Sequence, residues 1–483
     1  MKKTKKLLLS ILFLSFAAFG QSPSVTNALS LEEFLKEFRT INPQYQSLEQ
    51  RIKAAELNQS RANLFTPTDF FARTNYIIDE KLPSIPFFNY GSLTTFNNAV
   101  GIENTTNFGL KSRLSYEVDY FNYRDLVLDP TAGGQTIDLF DARPVISLEQ
   151  PLWRNGFGRK IKLQVKETTV LTNADKLAFE RSKEELEIQA EQIYFQLVAA
   201  QEYLKIQQQA LDQTKGIQQY IGNRVRMNLM DRSDLLQAQA QMELEELEVR
   251  SSEKNIHILQ SDFNVFRGAA PGSPLPTLDH LEEKVDAESL KALQGVSLNY
   301  LSSKNTTELE KIQSSMAYDE TLPVLDLFSA FALNGRDNDF AGVVGDSLSS
   351  DRTTFSIGME LRIPLDIKTN SKRRQAANIN IDAAKKTQAH IQKRDAADKE
   401  ILFQKALEAA QRLSLSKTIA DTQRKKLELE RNRLRQGRTT TYQVLVFERD
   451  LLLSDIRAVQ AKLDWAVLKA ELKKYKHTEG IES

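Results

Sequence analysis

The chain contains no cysteine, only four histidines and two tryptophans, and no excess of either charge. Without cysteine it can form no disulfide, no thiol nucleophile and no thiolate metal site. His257, His280, His390 and His477 are isolated and make no His-x-x-x-His or comparable ligand set. The 64 Lys and Arg residues balance 64 Asp and Glu, which argues against the basic surface a nucleic-acid binder needs. Gly156-Phe157-Gly158 lacks the third glycine and the βαβ setting of a phosphate-binding loop. No catalytic, cofactor-binding or metal-ligating residue is therefore predicted, and the chain does not read as an enzyme. Beyond the first twenty residues no run is apolar and long enough for a transmembrane helix. If the chain enters a bilayer, it must cross as strands.

The N-terminus carries Lys2, Lys3, Lys5 and Lys6, then an apolar stretch from Leu7 to Phe19, then small residues at Ala18 and Gly20. This is the pattern of a secretory signal peptide over residues 1–20. With no cysteine after it, the mature chain is not expected to be a lipoprotein.

Helical and strand-like segments then alternate. Residues 29–65 read as helix, interrupted near Asn42-Pro43. From 66 to 153 aromatic residues crowd in, among them Phe70, Phe71, Tyr76, Phe87, Phe88, Tyr116, Tyr120 and Trp153, and a period of two appears. Three strands are predicted here, over 68–78, 106–121 and 144–152, with 79–105 and 122–143 expected to be extracellular loops. A chain that enters and leaves on one side must cross an even number of times. We therefore expect 106–121 to belong to an extended extracellular hairpin rather than to the membrane wall; a fourth, hidden strand is the competing explanation. Helix returns over 159–227 and 233–266, with Leu186, Ala190, Ile193, Leu197, Ala200 and Leu204 forming a coiled-coil seam. The run Glu243, Glu245, Glu246 and Glu248 reads as a solvated helix face. After a loop beginning at 267 and a weak helix from about 289 to 320, strands reappear at Val324–Leu333 and around Phe355–Ile363. In the latter, Phe355, Ile357, Met359, Leu361 and Ile363 alternate with Ser356, Gly358, Glu360 and Arg362. Helix then runs from about 371 to 436 and on to about 475, with a seam at Leu445, Leu452, Ile456, Val459, Leu463, Ala466 and Ala470.

The second half repeats the first. RVRMNLMDRSDLLQ and RNRLRQGRTTTYQVLV place Arg224, Asn228, Ser233, Leu235 and Leu236 where Arg433, Gly437, Tyr442, Val444 and Leu445 stand 209 positions later. LEQPLWRNGFGRK and LRIPLDIKTNSKRR both end a strand at Pro-Leu and pass through a basic link into a long helix. This is a duplicated half-molecule. Its first copy spans residues 21–288, with a hairpin tip near 228–232 and an equatorial loop at 267–288. Its second spans 289–483, with strands over 322–365 and a tip near 437–441.

With Gln150-Pro151-Leu152, Pro364-Leu365 and the Arg-x-x-x-Gly-x-x-Thr break at Arg433–Thr440, the chain resembles the TolC family of outer-membrane efflux proteins over nearly all of its mature length. The resemblance implies a mixed α and β membrane protein built from two repeats. In that fold, three protomers each give four strands to one twelve-stranded barrel, continued by a periplasmic α-helical barrel. It implies a homotrimer in outer-membrane lipid that works with a periplasmic adaptor and an inner-membrane transporter, in efflux or type I secretion, without a cofactor.

On this reading Phe355, Ile357, Met359, Leu361 and Ile363 face lipid, and Trp153 sits at the membrane–water boundary. Arg224, Asn228, Arg433, Gly437, Arg438 and Thr440 form the hairpin tips that meet the adaptor. Gly437 and Asn228 suit a left-handed turn, and Thr440 with Gln443 suits a capping box. The family's closing latch does not carry over, because its aromatic and arginine positions fall on Leu434 and Thr439, and its pore acids on Gln443 and Val446. Arg438 with Asp231 or Asp234 is the replacement expected. A non-transporting periplasmic coiled coil or adhesin-like scaffold is the alternative; it would suit the seams but has no use for matched aromatic strands in the two halves.

Overall fold

The computed structural model describes residues 28–81, 89–127, 133–281, 295–349 and 351–477. The expected signal peptide, Phe87 and Phe88, and the end of the expected equatorial loop lie outside them. The described chain begins with α1 (Leu31–Ile41) and α2 (Pro43–Asn58), separated at Asn42, whose extended backbone precedes the proline. Ser30 opens α1 with a capping box to Glu33. Four strands follow: β1 (Thr68–Asp79), β2 (Ser92–Thr105), β3 (Lys111–Leu126) and β4 (Gln135–Pro151). Helix α3 (Arg159–Arg226) has 68 residues, and α4 (Arg232–Phe266) follows it. The second half comprises α5 (Leu298–Asp319), β5 (Val324–Leu333), the short β6 (Gly335–Asp337), α6 (Phe340–Asp346), β7 (Thr353–Arg362), the 69-residue α7 (Ile367–Arg435) and α8 (Thr441–Leu472).

The chain forms two compact units. One gathers the segment ending at Asn42 with Ala190–Val285 and Arg412–Val467; the other gathers Pro43–Gln189, Asp286–Gln411 and the segment beginning at Leu468. The second unit holds a single antiparallel sheet whose path is β1-β2-β3-β4-β5-β7, with β6 pairing beside β5 on β4. β5 and β6 keep one register along β4, Ala332 opposite Val145 and Gly335 opposite Ala142, so they act as one strand interrupted at Asn334. Pro144, which has no N–H to give, sits in β4 opposite that interruption.

This sheet corrects the expectation for 106–121. The strand there, β3, is not an outlying hairpin but pairs along its length with both β2 and β4. The even number of crossings comes from β2, inside the stretch expected to be loop. Asn97, Asn98 and Gly101 break the alternation of β2 and hide it in the sequence, yet it pairs residue for residue with β1 from Leu93 to Asn104. The path therefore carries six long strands where the resemblance implies four.

Both basic links close on one corner of this unit. Asp319, fully buried at the end of α5, accepts from the Asn155 N–H at 2.9 Å and lies 3.5 Å from Arg159. Arg154 donates to the Leu322 carbonyl at 2.8 Å, Arg373 pairs with Glu320 at 2.8 Å and Arg374 donates to Thr321 at 2.6 Å. Cations gathered just beyond the C-terminus of α5 face the negative end of its dipole.

In the first unit the two helix breaks are built alike. After α3, Asn228 takes φ 56°, its N–H reaches the Val225 carbonyl at 3.0 Å, and the Leu229 N–H reaches the Arg224 carbonyl at 2.9 Å. After α7, Gly437 takes φ 68°, its N–H reaches Leu434 at 3.0 Å, and the Arg438 N–H reaches Arg433 at 2.9 Å. Each is a Schellman motif, and both are centred on the left-handed residue singled out in the sequence. Asp231 and Thr440 then stand immediately before the returning helices.

Because a left-handed conformation costs an L-residue about 1–2 kcal/mol, Gly437→Val is expected to lower the thermal midpoint of the helical signal. Asn228→Gly should leave it unchanged or raise it slightly. Equal effects at the two positions, followed by circular dichroism, would contradict the turn geometry.

Candidate functional site

The sheet has two chemically opposite faces. Paired residues in an antiparallel sheet share a face, so the register assigns every side chain. One face carries Phe70 and Tyr76 of β1, Phe96, Val100 and Ile102 of β2, Leu114 of β3, Ile146 and Leu148 of β4, and Phe331 of β5. It ends on β7 with Phe355, Ile357, Met359 and Leu361, and Ile363 just beyond. All of these are exposed; the five from Phe355 to Ile363 are 56–68% accessible. An apolar face carried across six strands, broken by few polar side chains such as Thr74 and Asn98, is far larger than the contiguous apolar patches usual on a water-soluble surface. It is the exterior expected of a barrel in lipid. The predicted lipid-facing residues of β7 therefore share one surface with β1 and β2. Trp153, two residues beyond β4, is half exposed.

The opposite face is polar and cross-linked between strands. Arg113 of β3 pairs with Glu103 of β2 at 2.7 Å, Arg143 of β4 with Glu117 of β3 at 2.8 Å, and Lys111 with Glu149 at 2.8 Å. Asn97 donates to Asp119 at 2.7 Å. Arg336 pairs with Asp141, and Arg362 with Glu360. Such pairs suit a wet interior, where each is worth about 0–1 kcal/mol and leaves no charge in hydrocarbon.

Of the aromatic rings on this face, two each lie over a glycine. Phe71 covers Gly101 and Phe328 covers Gly358; a Cβ on either glycine would meet the ring at 2.9 or 2.5 Å. The sequence shows these glycines only as gaps in the alternation; their role needs the partner strand's register.

The second candidate region is the pair of hairpin tips. Arg224 lies against the Tyr220 ring, 5.4 Å from its centroid, and donates to its hydroxyl at 3.0 Å. Arg433 lies 3.4 Å from the buried Glu430, which also accepts from the Thr439 hydroxyl at 2.5 Å. Thr440 caps α8 by accepting from the Gln443 N–H at 3.3 Å, the half of the expected capping box that supports the helix start. Asp231 precedes α4 without a side-chain cap bond. Asp231 and Arg438 are exposed and Asp234 is half-buried. Among the described residues none of the three forms an ion pair within one chain. Met227, Leu229, Leu236 and Tyr442 are exposed apolar side chains in the same turns.

Sequence reading missed Glu430 and Thr439, which tie the second turn together; the i, i+3 spacing of Glu430 and Arg433 was the available signal. It also missed Glu448, half of a pair with Arg431 at 2.6 Å, whose carboxyl is pushed up by burial and held back by that arginine. The solvated Glu face needs one correction: Glu245 is buried and accepts from Gln241 at 2.7 Å. On α8 the predicted seam is only partly buried, and the fully buried residues include Val444 and Trp465 beside it.

No protein-family model and no curated protein matches the chain. Solved structures do. The outer membrane protein VceC of Vibrio cholerae aligns with TM-score 0.65 and 12% identity over 93% of this chain and 96% of its own. The CmeC outer membrane channel of Campylobacter jejuni gives 0.61 and 13% over 92% and 85%, and the open-state MtrE outer membrane channel of Neisseria gonorrhoeae gives 0.63 and 12% over 92% and 88%. The chain thus has the fold of outer-membrane channel proteins.

An arginine at Ile357 or Met359 puts a charge on the apolar face and is expected to cost about 2–4 kcal/mol near the bilayer midplane, lowering the assembled fraction in membranes. Ser356→Arg, on the polar face, should assemble nearly as wild type. Gly358 is unsuitable as a mild control because of Phe328. Equal defects at positions 356 and 357 would contradict the assignment of faces, and a larger defect at 356 would invert it.

Proposed function

We propose that the chain is a TolC-family channel of a Gram-negative-type outer membrane, working as a homotrimer. It would passively conduct substrates passed to it by an inner-membrane transporter and a periplasmic adaptor, in efflux or type I secretion. The observation that carries this reading is the two-faced sheet: one side apolar and exposed across six strands, the other laced with ion pairs. A periplasmic coiled-coil or adhesin-like scaffold gives no reason for such a sheet. The duplicated strand–helix order, with a matching Schellman turn in each half, supports the two-repeat plan, and the likeness to outer-membrane channels supports the location.

In this reading the turns between strands at 80–91, 127–134 and 338–352 lie outside the cell, and the breaks at Asn228 and Gly437 lie in the periplasm. The exposed Met227, Leu229, Leu236 and Tyr442 offer the adaptor apolar contact, and Arg224, Arg433, Arg438 and Thr440 the polar rim. The entrance closes through Arg438 and a carboxylate at Asp231 or Asp234 on a neighbouring hairpin. Exposed pairs of this kind are worth about 0–1 kcal/mol each, so three copies make a latch that opens readily.

Two measurements test the reading. Single cysteines placed in this cysteine-free chain at Gly133 or Ser349 should react with an impermeant maleimide on intact cells, while Gln436→Cys should not; the reverse pattern would overturn the topology. Membrane-extracted protein should conduct ions in planar bilayers, with Arg438→Ala open more of the time than wild type and the difference shrinking at high salt. Conductance unchanged in Arg438→Ala, Asp231→Ala and Asp234→Ala would remove the latch, and no conductance in any of them would favour the scaffold.

A further inference from the structure

We propose that β1 of one copy pairs antiparallel with β7 of the next, so that all six long strands of every copy enter the wall. A trimer then closes a barrel of eighteen strands rather than twelve. The inference rests on the channel reading above and adds to it the surface by which copies join.

The sheet path has two open edges, β1 and β7; among the described residues each strand between them is paired on both sides. About half of the backbone N–H and C=O groups of an edge strand point away from its one partner. In hydrocarbon such an edge finds no water, and only closure removes it. Six strands fall short of the eight in the smallest lipid-facing barrels, so closure requires a further copy.

The two edges match. Soluble proteins blunt an exposed edge with lysine or proline; β1 (TDFFARTNYIID) and β7 (TTFSIGMELR) contain neither. They are 12 and 10 residues long and exposed along nearly their whole length. Strand direction alternates along the path, and six is even, so β1 and β7 run in opposite senses and a β7–β1 junction continues the antiparallel order. The phase agrees as well: Phe70 and Tyr76 of β1 lie on the same face as Phe355 and Met359 of β7. A junction can therefore carry the apolar surface unbroken from one copy to the next.

A twelve-stranded closure would have to join β7 to β3 instead. That edge of β3 is already occupied by a fourteen-pair ladder from Ser92–Arg124 to Thr105–Lys111. It would also displace the β1–β2 hairpin, with exposed Phe70, Tyr76 and Ile102, from the only surroundings that suit it. Eighteen strands, by contrast, is a size that encloses an aqueous channel.

Paired cysteines test the junction, because the chain has none of its own. Arg73, Asn75 or Ile77 on β1 is combined with Thr354, Ser356 or Glu360 on β7, all on the polar face. As the alternative, Ser115 or Glu117 on β3 is combined with the same β7 positions. Each variant is expressed at full length, oxidised in membranes and run without reductant, with the single-cysteine parents as assembly controls. The expected result is disulfide-linked dimers and trimers for β1–β7 pairs along one antiparallel register, and none for β3–β7 pairs. Linkage of β3 to β7 overturns the eighteen-stranded closure. So does a complete lack of β1–β7 linkage in membranes where an amine-reactive cross-linker still captures a trimer of the cysteine-free chain. If that cross-linker captures no trimer, the channel reading falls with it.

Discussion

The constraint on which the structure depends is that a backbone in hydrocarbon must satisfy its own hydrogen bonds. This chain has no helix, among the described residues, long and apolar enough to cross a membrane. It presents instead a sheet with one exposed apolar face, and a sheet in lipid must close. The cross-strand ion pairs of the polar face and the glycine positions under Phe71 and Phe328 let each face hold its own chemistry along the ladder, which is interrupted where β5 passes Pro144. In the proposed trimer the two open edges determine how copies meet.

The long helices answer a different demand. A helix of nearly seventy residues holds together through packing along a stripe rather than through propensity. Here the stripe is narrow, with Leu186, Ala190, Leu197 and Ala200 buried on α3 and Ala406, Leu413, Ala420 and Leu427 buried on α7. Small residues at these positions let helices approach closely. The ends of the helices are set locally, by left-handed Asn228 and Gly437 and by the residues just before α4 and α8. The same device in both halves, with different side chains, shows that the backbone requirement outweighs the identity of the residue: glycine in one turn, asparagine in the other, each tolerating positive φ.

Elements with a strong period were legible in the sequence. The helices from 159 and from 367 and the strand around Phe355–Ile363 were visible because many residues repeat one spacing. The turns at Asn228 and Gly437 were visible because left-handed backbone selects few residue types. β2 was not legible: Asn98 stands in its apolar row and Gly101 in the other, and only the partner strands explain why both are tolerated. Glu430, Glu245 and Glu448 were hidden for a related reason, since a carboxylate on a helix looks solvated until the neighbouring helix is known to cover it. Reading β2 as a loop also set β3 apart from the other strands, because crossings must be even, whereas β3 pairs with both β2 and β4.

The claim that all six strands form the lipid wall is tested most directly on β2, the strand that a four-strand protomer would not place there. Nitroxide labels introduced one at a time from Phe96 to Ile102 in reconstituted protein report access to oxygen, which concentrates in lipid, and to a water-soluble nickel complex. High oxygen access at Phe96, Asn98, Val100 and Ile102, alternating with high nickel access at Asn97 and Ala99, is the predicted result, with Gly101 left unlabelled because Phe71 covers it. Nickel access at every position, without alternation, would place β2 outside the membrane and contradict the account.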